Sequence, residues 1–309
     1  MRLNTFTTVV ISLIVASTSF AQQPPPGGAP LPPPPMPPPG AMNAPPPVYP
    51  PAELERLVSP VALYPDPLLA QVLAASTYSQ DIPAAAQWAD QHHYLSGPTL
   101  TAAMMADHLP WDPSVQALLP FPSVLGMMAS SMPWTQELGA AFLAQQGEVM
   151  DAVQRMRQRA ASYGYLRSNP QVVVQTGPYV SIMPVNPAFI VVPYYNPVVV
   201  YAPPPRGVVV SGAIGFGFGV TIGTAFAPWG WGATHVAWNT HVVVVNNAPW
   251  GRTWANRVTY VHPYTVTRYR AAPRAVEEHR TMERSPAERE AQRTGHPAKE
   301  EHRKPEGRQ

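Results

Sequence analysis

The sequence predicts a mainly α fold: a multi-helix N-terminal domain, then short β-strands, then a glycine-rich hydrophobic segment, with disordered proline-rich and charged ends. Three observations carry this. Apolar residues recur at helical spacing between residues 52 and 166. From residue 167 onward, runs of Val, Ile and Tyr are broken every few positions by proline or glycine. Proline dominates residues 24–51, and mixed charges dominate the tail.

Residues 1–21 read as a signal peptide. Arg2 supplies a short positive start, an apolar run follows from Phe6 to Ala16, and Ser19-Phe20-Ala21 fits the small-x-small cleavage rule. The mature chain is therefore expected to begin at Gln22, in the periplasm or cell envelope. The alternative, an uncleaved anchor, is disfavoured because the apolar run is short for a membrane span. The chain has no cysteine, which excludes disulfides, thiol chemistry and a lipoprotein anchor. A formal charge of +2 over 309 residues gives no basic patch for nucleic acid.

Residues 22–51 form a proline-rich disordered linker. Polyproline II rises about 3.1 Å per residue, so residues 24–51 reach about 90 Å when fully extended. Such a run acts as a spacer or as a ligand for a proline-binding partner.

In the helical domain, 52–166, residues Leu68 to Ala74 read as a short amphipathic run. A longer closing helix opens at Thr135 and can continue to Tyr163, with Leu138, Phe142, Val149, Val153 and Met156 on one face. Five to seven helices are expected. "YPDP" at Asp66, "WDP" at Asp112, and Asp81 two residues before Pro83 look catalytic. An acid next to proline is also the signature of an N-cap followed by proline in the first helical turn. Three such signals before three helical runs favour helix starts. Tyr64, Trp88, Trp111 and Trp134 are expected to pack between helices rather than stack on a ligand, with one exposed aromatic groove as the alternative.

Residues 167–205 read as a β-rich arm of short strands, with a weak ten-residue repeat, Asn186-Pro187 and Asn196-Pro197. Residues 233–270 read as β-rich or irregular, with 238–247 a strand ending in a turn. The tail, 271–309, has mixed charges and no aromatic residue, and is expected to be disordered.

The strings "LVSPVALYPDPLLAQVLAASTY", "AAQWADQH", "WDPSVQALLPFPSVLGMM" and "WTQELGAAFLAQQGEVMDAVQRMRQRA" resemble the DUF3300 family of uncharacterised exported bacterial proteins, over about residues 53–231. The resemblance implies an envelope location and allows membrane association through a hydrophobic segment. It implies no reaction and no catalytic residue.

That segment, 206–232, supports two readings. Ser211, Gly215, Gly219 and Gly223 fall four apart. On a helix they form the small-residue stripe that lets membrane helices pack closely, and residues 208–227 as a helix span about 30 Å, a hydrocarbon core. As a strand, Ile214, Phe216, Phe218, Val220 and Ile222 alternate with glycine or threonine at period two. Length and the lack of turn residues other than glycine favour the helix. Trp229, Trp231 and Trp238 then resemble an interfacial aromatic belt.

No nucleophile elbow, phosphate loop or CxxC motif is present. His92 and His93, with Asp107, His108 and Asp112, or His235 and His241 on one strand face, are weak metal candidates against solvated histidines. No cofactor, metal, catalytic residue or small-molecule ligand is identified. The reading is a non-enzymatic envelope scaffold or interaction module, membrane-associated, with envelope proteins or further copies as partners. The alternative is a hydrolase-like periplasmic enzyme using acids such as Asp66 and Asp112.

Overall fold

The computed structural model describes residues 44–207, 210, 212–217 and 219–261. All belong to one compact unit, Ala44–Gln309, separate from Met1–Asn43. The signal segment, most of the proline linker, the charged tail and Ser211 lie outside the described residues.

Among the described residues, eight helices precede the first strand. They are α1 (Pro51–Val58), α2 (Asp66–Ser76), α3 (Ile82–Gln91), α4 (Gly97–Ala106), α5 (Pro113–Gln116), α6 (Pro122–Ser130), α7 (Met132–Ala144) and α8 (Gln146–Ser162). All but α8 carry proline in their first two positions. Proline's missing N–H costs nothing there, and its fixed φ suits the first turn.

Helix α2 is the spine. Every one of its residues is buried, so the amphipathic reading of this run is corrected: a helix that is apolar all round is surrounded. Helices α5 and α7 pack on it, and strands β2, β7 and β8 (below) pack on it as well. The closing helix is also corrected. It breaks at Gln145, whose backbone takes φ −140°, ψ 52°. The Gln145 amide is committed elsewhere: its Oε1 accepts from the Tyr49 N–H at 2.6 Å, and its Nε2 donates to the Tyr49 carbonyl at 3.3 Å.

The strands are short and antiparallel. β1 (Val172–Gln175) pairs with β2 (Ser181–Pro184), with Val173 opposite Met183. β3 (Phe189–Ile190) and β4 (Pro193–Tyr195) run into a single helical turn, α9 (Pro197–Val200). They pair with β6 (Val220–Thr221) and β5 (Ile214–Phe216) respectively. Finally β7 (His235–Ala237), β8 (Val242–Val245) and β9 (Ala248–Pro249) form a three-stranded sheet. Asn246 and Asn247, both at positive φ, make the tight β8–β9 turn. Trp238–Thr240, expected to begin that strand, is a 3-10 turn instead.

The glycine segment is therefore not a helix where it is described. It is strand β5, strand β6 and a 3-10 turn at Thr224–Trp229. The registers Ile190↔Val220 and Pro193↔Phe216 set two residues, 191–192, opposite three, 217–219. That is a β-bulge, and it bends the strand. No helix among the described residues is long and apolar enough to cross a membrane.

The aromatic-belt reading is corrected too. Trp229, Trp231 and Trp238 are buried in the same core cluster as the helices. Each indole N–H donates into the helical half: Trp229 to Gln116 Oε1 at 3.0 Å, Trp231 to the Ala117 carbonyl at 3.0 Å, Trp238 to Asp66 Oδ2 at 2.8 Å. Buried indoles need such acceptors.

Candidate binding groove

The acids come first, because they separate an enzyme from a binding module. Asp66 is not an N-cap; the helix begins at Asp66 itself, behind Pro65, and its carboxylate makes no cap bond. Instead it is buried against Arg157, whose side chain is fully inaccessible. Arg157 Nη1 donates to Asp66 Oδ1 at 2.5 Å and to the Val180 carbonyl at 2.9 Å. Its Nε reaches the Ala62 carbonyl at 2.7 Å and its Nη2 the Tyr64 carbonyl at 2.8 Å. Asp66 also accepts from the Ile182 N–H and from Trp238, and the Trp238 ring lies 4.8 Å from the guanidinium carbon. One ion pair thus ties α2, α8, β2 and the turn before β8. Three of the carboxylate's roughly four acceptor positions are thus taken by the protein's own buried donors.

Asp112 does cap its own helix, accepting from the Ser114 N–H at 2.9 Å. Asp81 precedes α3 but makes no side-chain cap bond. It stands beside Asp112, and its pKa is raised, first by burial and then by the Asp112 charge. Arg252 closes this corner. Its guanidinium lies 3.6 Å from the Tyr78 ring centroid and donates to the Thr77 carbonyl at 2.6 Å. Tyr78 is pushed far up by burial, with Asp112 adding to it. The two acids meet, but behind a stacked arginine.

The histidines do not assemble. His92 stacks on Trp88 with ring centroids 3.9 Å apart, and Trp88 donates to Asp107 at 2.7 Å. His235 lies on β7, whereas His241 sits after the 3-10 turn beside Asp151 at 2.7 Å; the two do not share a strand face. Among the described residues, no group of three or more His, Asp or Glu side chains could hold a metal ion.

A groove opens elsewhere. A groove of about 860 Å³ runs between the α3–α4 loop, the turn before α6, and the bulged β4–β5 pair. Its walls are prolines (Pro60, Pro120, Pro122, Pro193, Pro197) and the aromatics Tyr64, Phe121, Tyr194 and Tyr195. Gly217 and Gly219, at the bulge, line one side, and no Asp, Glu, Lys or Arg borders it. A smaller groove of about 240 Å³, edged by Pro170, Val185 and Phe189, shares Gly219 as a wall. Val173, Met183, Val185 and Phe189 continue the apolar surface outward, all exposed.

The three tyrosines play different parts. Tyr195 is fixed: its hydroxyl donates to the Ser59 carbonyl at 2.9 Å and accepts from the Leu63 N–H at 3.3 Å, and burial raises its pKa well above the ordinary phenol value. Tyr64 is pushed up to about 12 by burial. Tyr194 is 66% exposed. Its ring lies over Gly215, the residue opposite it in the ladder, where an added Cβ would sit 2.1 Å from ring carbons.

Three of the four stripe residues thereby find roles outside a helix. Gly215 admits the Tyr194 ring, Gly219 opens both grooves, and Gly223 takes φ 48° before the 3-10 turn. Of the groove tyrosines, Tyr194 and Tyr195 escaped sequence reading, whereas Tyr64 was expected to pack between helices. The available signal was "VPYYNP" standing opposite a run of alternating glycines, a pairing that needs the register.

A helical half and a strand half, sharing one core and bordering one uncharged groove, define the class of molecule. The family model described as "Protein of unknown function (DUF3300)" matches residues 50–262, and the chain belongs to that family. It is similar to the "Uncharacterized protein YacH" of Escherichia coli (strain K12), at 35% identity over 223 residues. That match covers 57% of this chain and 36% of the relative, so the chain spans little more than a third of the relative's length. No solved structure matches.

Proposed function

We propose that the protein is a non-catalytic module of the cell envelope whose groove seats an extended segment of another polypeptide. The observation that carries this is the groove: mainly apolar, walled by prolines and tyrosines, and bordered by no Asp, Glu, Lys or Arg. Apolar grooves with exposed aromatic rims are binding surfaces. The acids that an envelope hydrolase would need are spent on structure, Asp66 in its ion pair and Asp112 in its cap. Export rests on residues 1–21.

The test places a photo-crosslinking amino acid at position 194 and irradiates intact cells. A discrete protein adduct that disappears when Gly219→Trp fills the groove supports the reading. A diffuse smear, or an adduct unaffected by Gly219→Trp, overturns it. Recovery of the protein in the cytoplasmic fraction overturns the envelope location.

A further inference from the structure

We infer that the segment this groove receives is the proline tract of a second copy of the same chain, residues 24–43. This rests on the binding-module reading and names its occupant.

The fold already holds the continuation of that tract. Residues 44–50, "APPPVYP", belong to the folded unit and lie in no helix or strand. Trp254 Nε1 donates to the Ala44 carbonyl at 2.8 Å. The Gln145 amide brackets Tyr49 on both its N–H and its carbonyl. Pro50 has φ −68°, ψ 159°, the polyproline II conformation. An indole donating to a carbonyl just ahead of a proline run is the way aromatic-lined surfaces read such segments, because proline leaves the carbonyls unpaired and the helix preformed.

The groove offers the same chemistry on a larger scale. Tyr64, Tyr194 and Tyr195 line it together with Pro193 and Pro197. Flat rings between proline ridges accept proline rings edge-on and lose little entropy in doing so. No Asp, Glu, Lys or Arg borders the groove, although His93 lines it, and residues 24–43 carry no charged side chain. A charged partner would leave its charge unpaired there. The tract has 20 residues, about 60 Å when extended. Its C-terminal continuation is fastened at Trp254 and Gln145, neither of which borders the groove. The tract is thus a tether ending in a ligand, and the groove of a neighbouring molecule is its receptor.

The experiment uses the mature full-length protein in sedimentation velocity over a concentration series, with a synthetic peptide of residues 24–43 as competitor. The expected result is reversible association that excess peptide returns to monomer. A peptide with its prolines replaced by alanine does not compete. Tyr194→Ala weakens association about tenfold, the loss of one aromatic anchor, with unchanged circular dichroism and melting because the side chain is mostly exposed. Gly219→Trp acts the same way. A monomer at every concentration overturns the inference, and so does association indifferent to the peptide and to Tyr194→Ala. Tyr194-dependent binding to neutral phosphatidylcholine vesicles without peptide competition overturns it in favour of a lipid surface. The photo-adduct at position 194 separates the two readings. An adduct joining two differently tagged copies supports both. An adduct with a different protein, or within one copy, overturns the second-copy assignment while the groove stands as a binding site. No adduct at all removes both.

Discussion

Asp66 shows how far a residue's role depends on what the fold brings to it. Read as a helix cap, its loss would cost about 0.5–2 kcal/mol. In the structure it is half of a buried ion pair. Asp66→Ala leaves the Arg157 guanidinium buried and uncompensated, so we expect a loss of about 3–5 kcal/mol, read from chemical denaturation. A loss near 1 kcal/mol would return Asp66 to the cap role. Two glycines make a second contrast at the same scale. A Cβ at Gly139 would lie 2.1 Å from the Ser76 carbonyl oxygen, and one at Gly215 would lie 2.1 Å from the Tyr194 ring. The first obstacle is backbone in the buried helix α2; the second is an exposed side chain free to swing. Gly139→Ala is therefore expected to destabilise by at least about 1–3 kcal/mol, the usual range for overpacking. Gly215→Ala is expected to leave the melting temperature nearly unchanged while displacing Tyr194 and weakening groove binding. Paired melting curves check the contrast.

At the scale of elements, helix starts were legible and the glycine strand was not. Proline followed by an apolar run announces a first turn through local chemistry: the starts after Asp81 and Asp112 lie where the sequence puts them, and α2 starts one residue early, at Asp66 rather than after it. Glycines at even spacing satisfy both the helical and the strand period, so periodicity carries no decision. What decides is non-local: the register with residues 189–195 and the bulge opposite 191–192. The break at Gln145 was hidden for the same reason, since its amide answers to Tyr49 nearly a hundred positions away. The site was less legible than the fold, because its walls come from loops and strands that touch only after folding. Gly219→Leu now has a different expected outcome from that of a membrane stripe. The nearest atoms to an added Cβ are Val191 Cγ1 at 3.5 Å and Phe189 Cβ at 3.6 Å, ordinary contacts. The variant should fold, melt within a few degrees of the parent, and block the groove. Failure to fold would show that the bulge has no room.

For the whole molecule, buried phenols set the response to alkali. Tyr64, Tyr78, Tyr195 and Tyr201 all have pKa values raised chiefly by burial. The folded state favours the neutral phenol. This stability is fully present below the unfolded tyrosine pKa of about 10, and is lost as pH rises from there through the folded values. Absorbance at 295 nm during titration should show these four buried tyrosines ionising above the ordinary phenol value of about 10, together with loss of near-ultraviolet dichroism. Smooth titration of every tyrosine near pH 10 with structure intact would contradict the burial.

The spine helix has a consequence for how the chain can be divided. Composition changes sharply near residue 166, where a cloning boundary would ordinarily be drawn. Yet α2 is enclosed by helices on one side and by β2, β7 and β8 on the other, and Trp229, Trp231 and Trp238 belong to the helical core. A piece comprising 44–166 would present the strand-facing side of α2 to water and leave Arg157 without the Val180 carbonyl and Trp238. It should be recovered insoluble or molten, binding hydrophobic dyes, whereas 44–262 should melt in one calorimetric transition with matching van't Hoff and calorimetric enthalpies. The smallest heritable unit is then the span the family model covers, residues 50–262, and recombination within it would separate two halves that cannot fold apart.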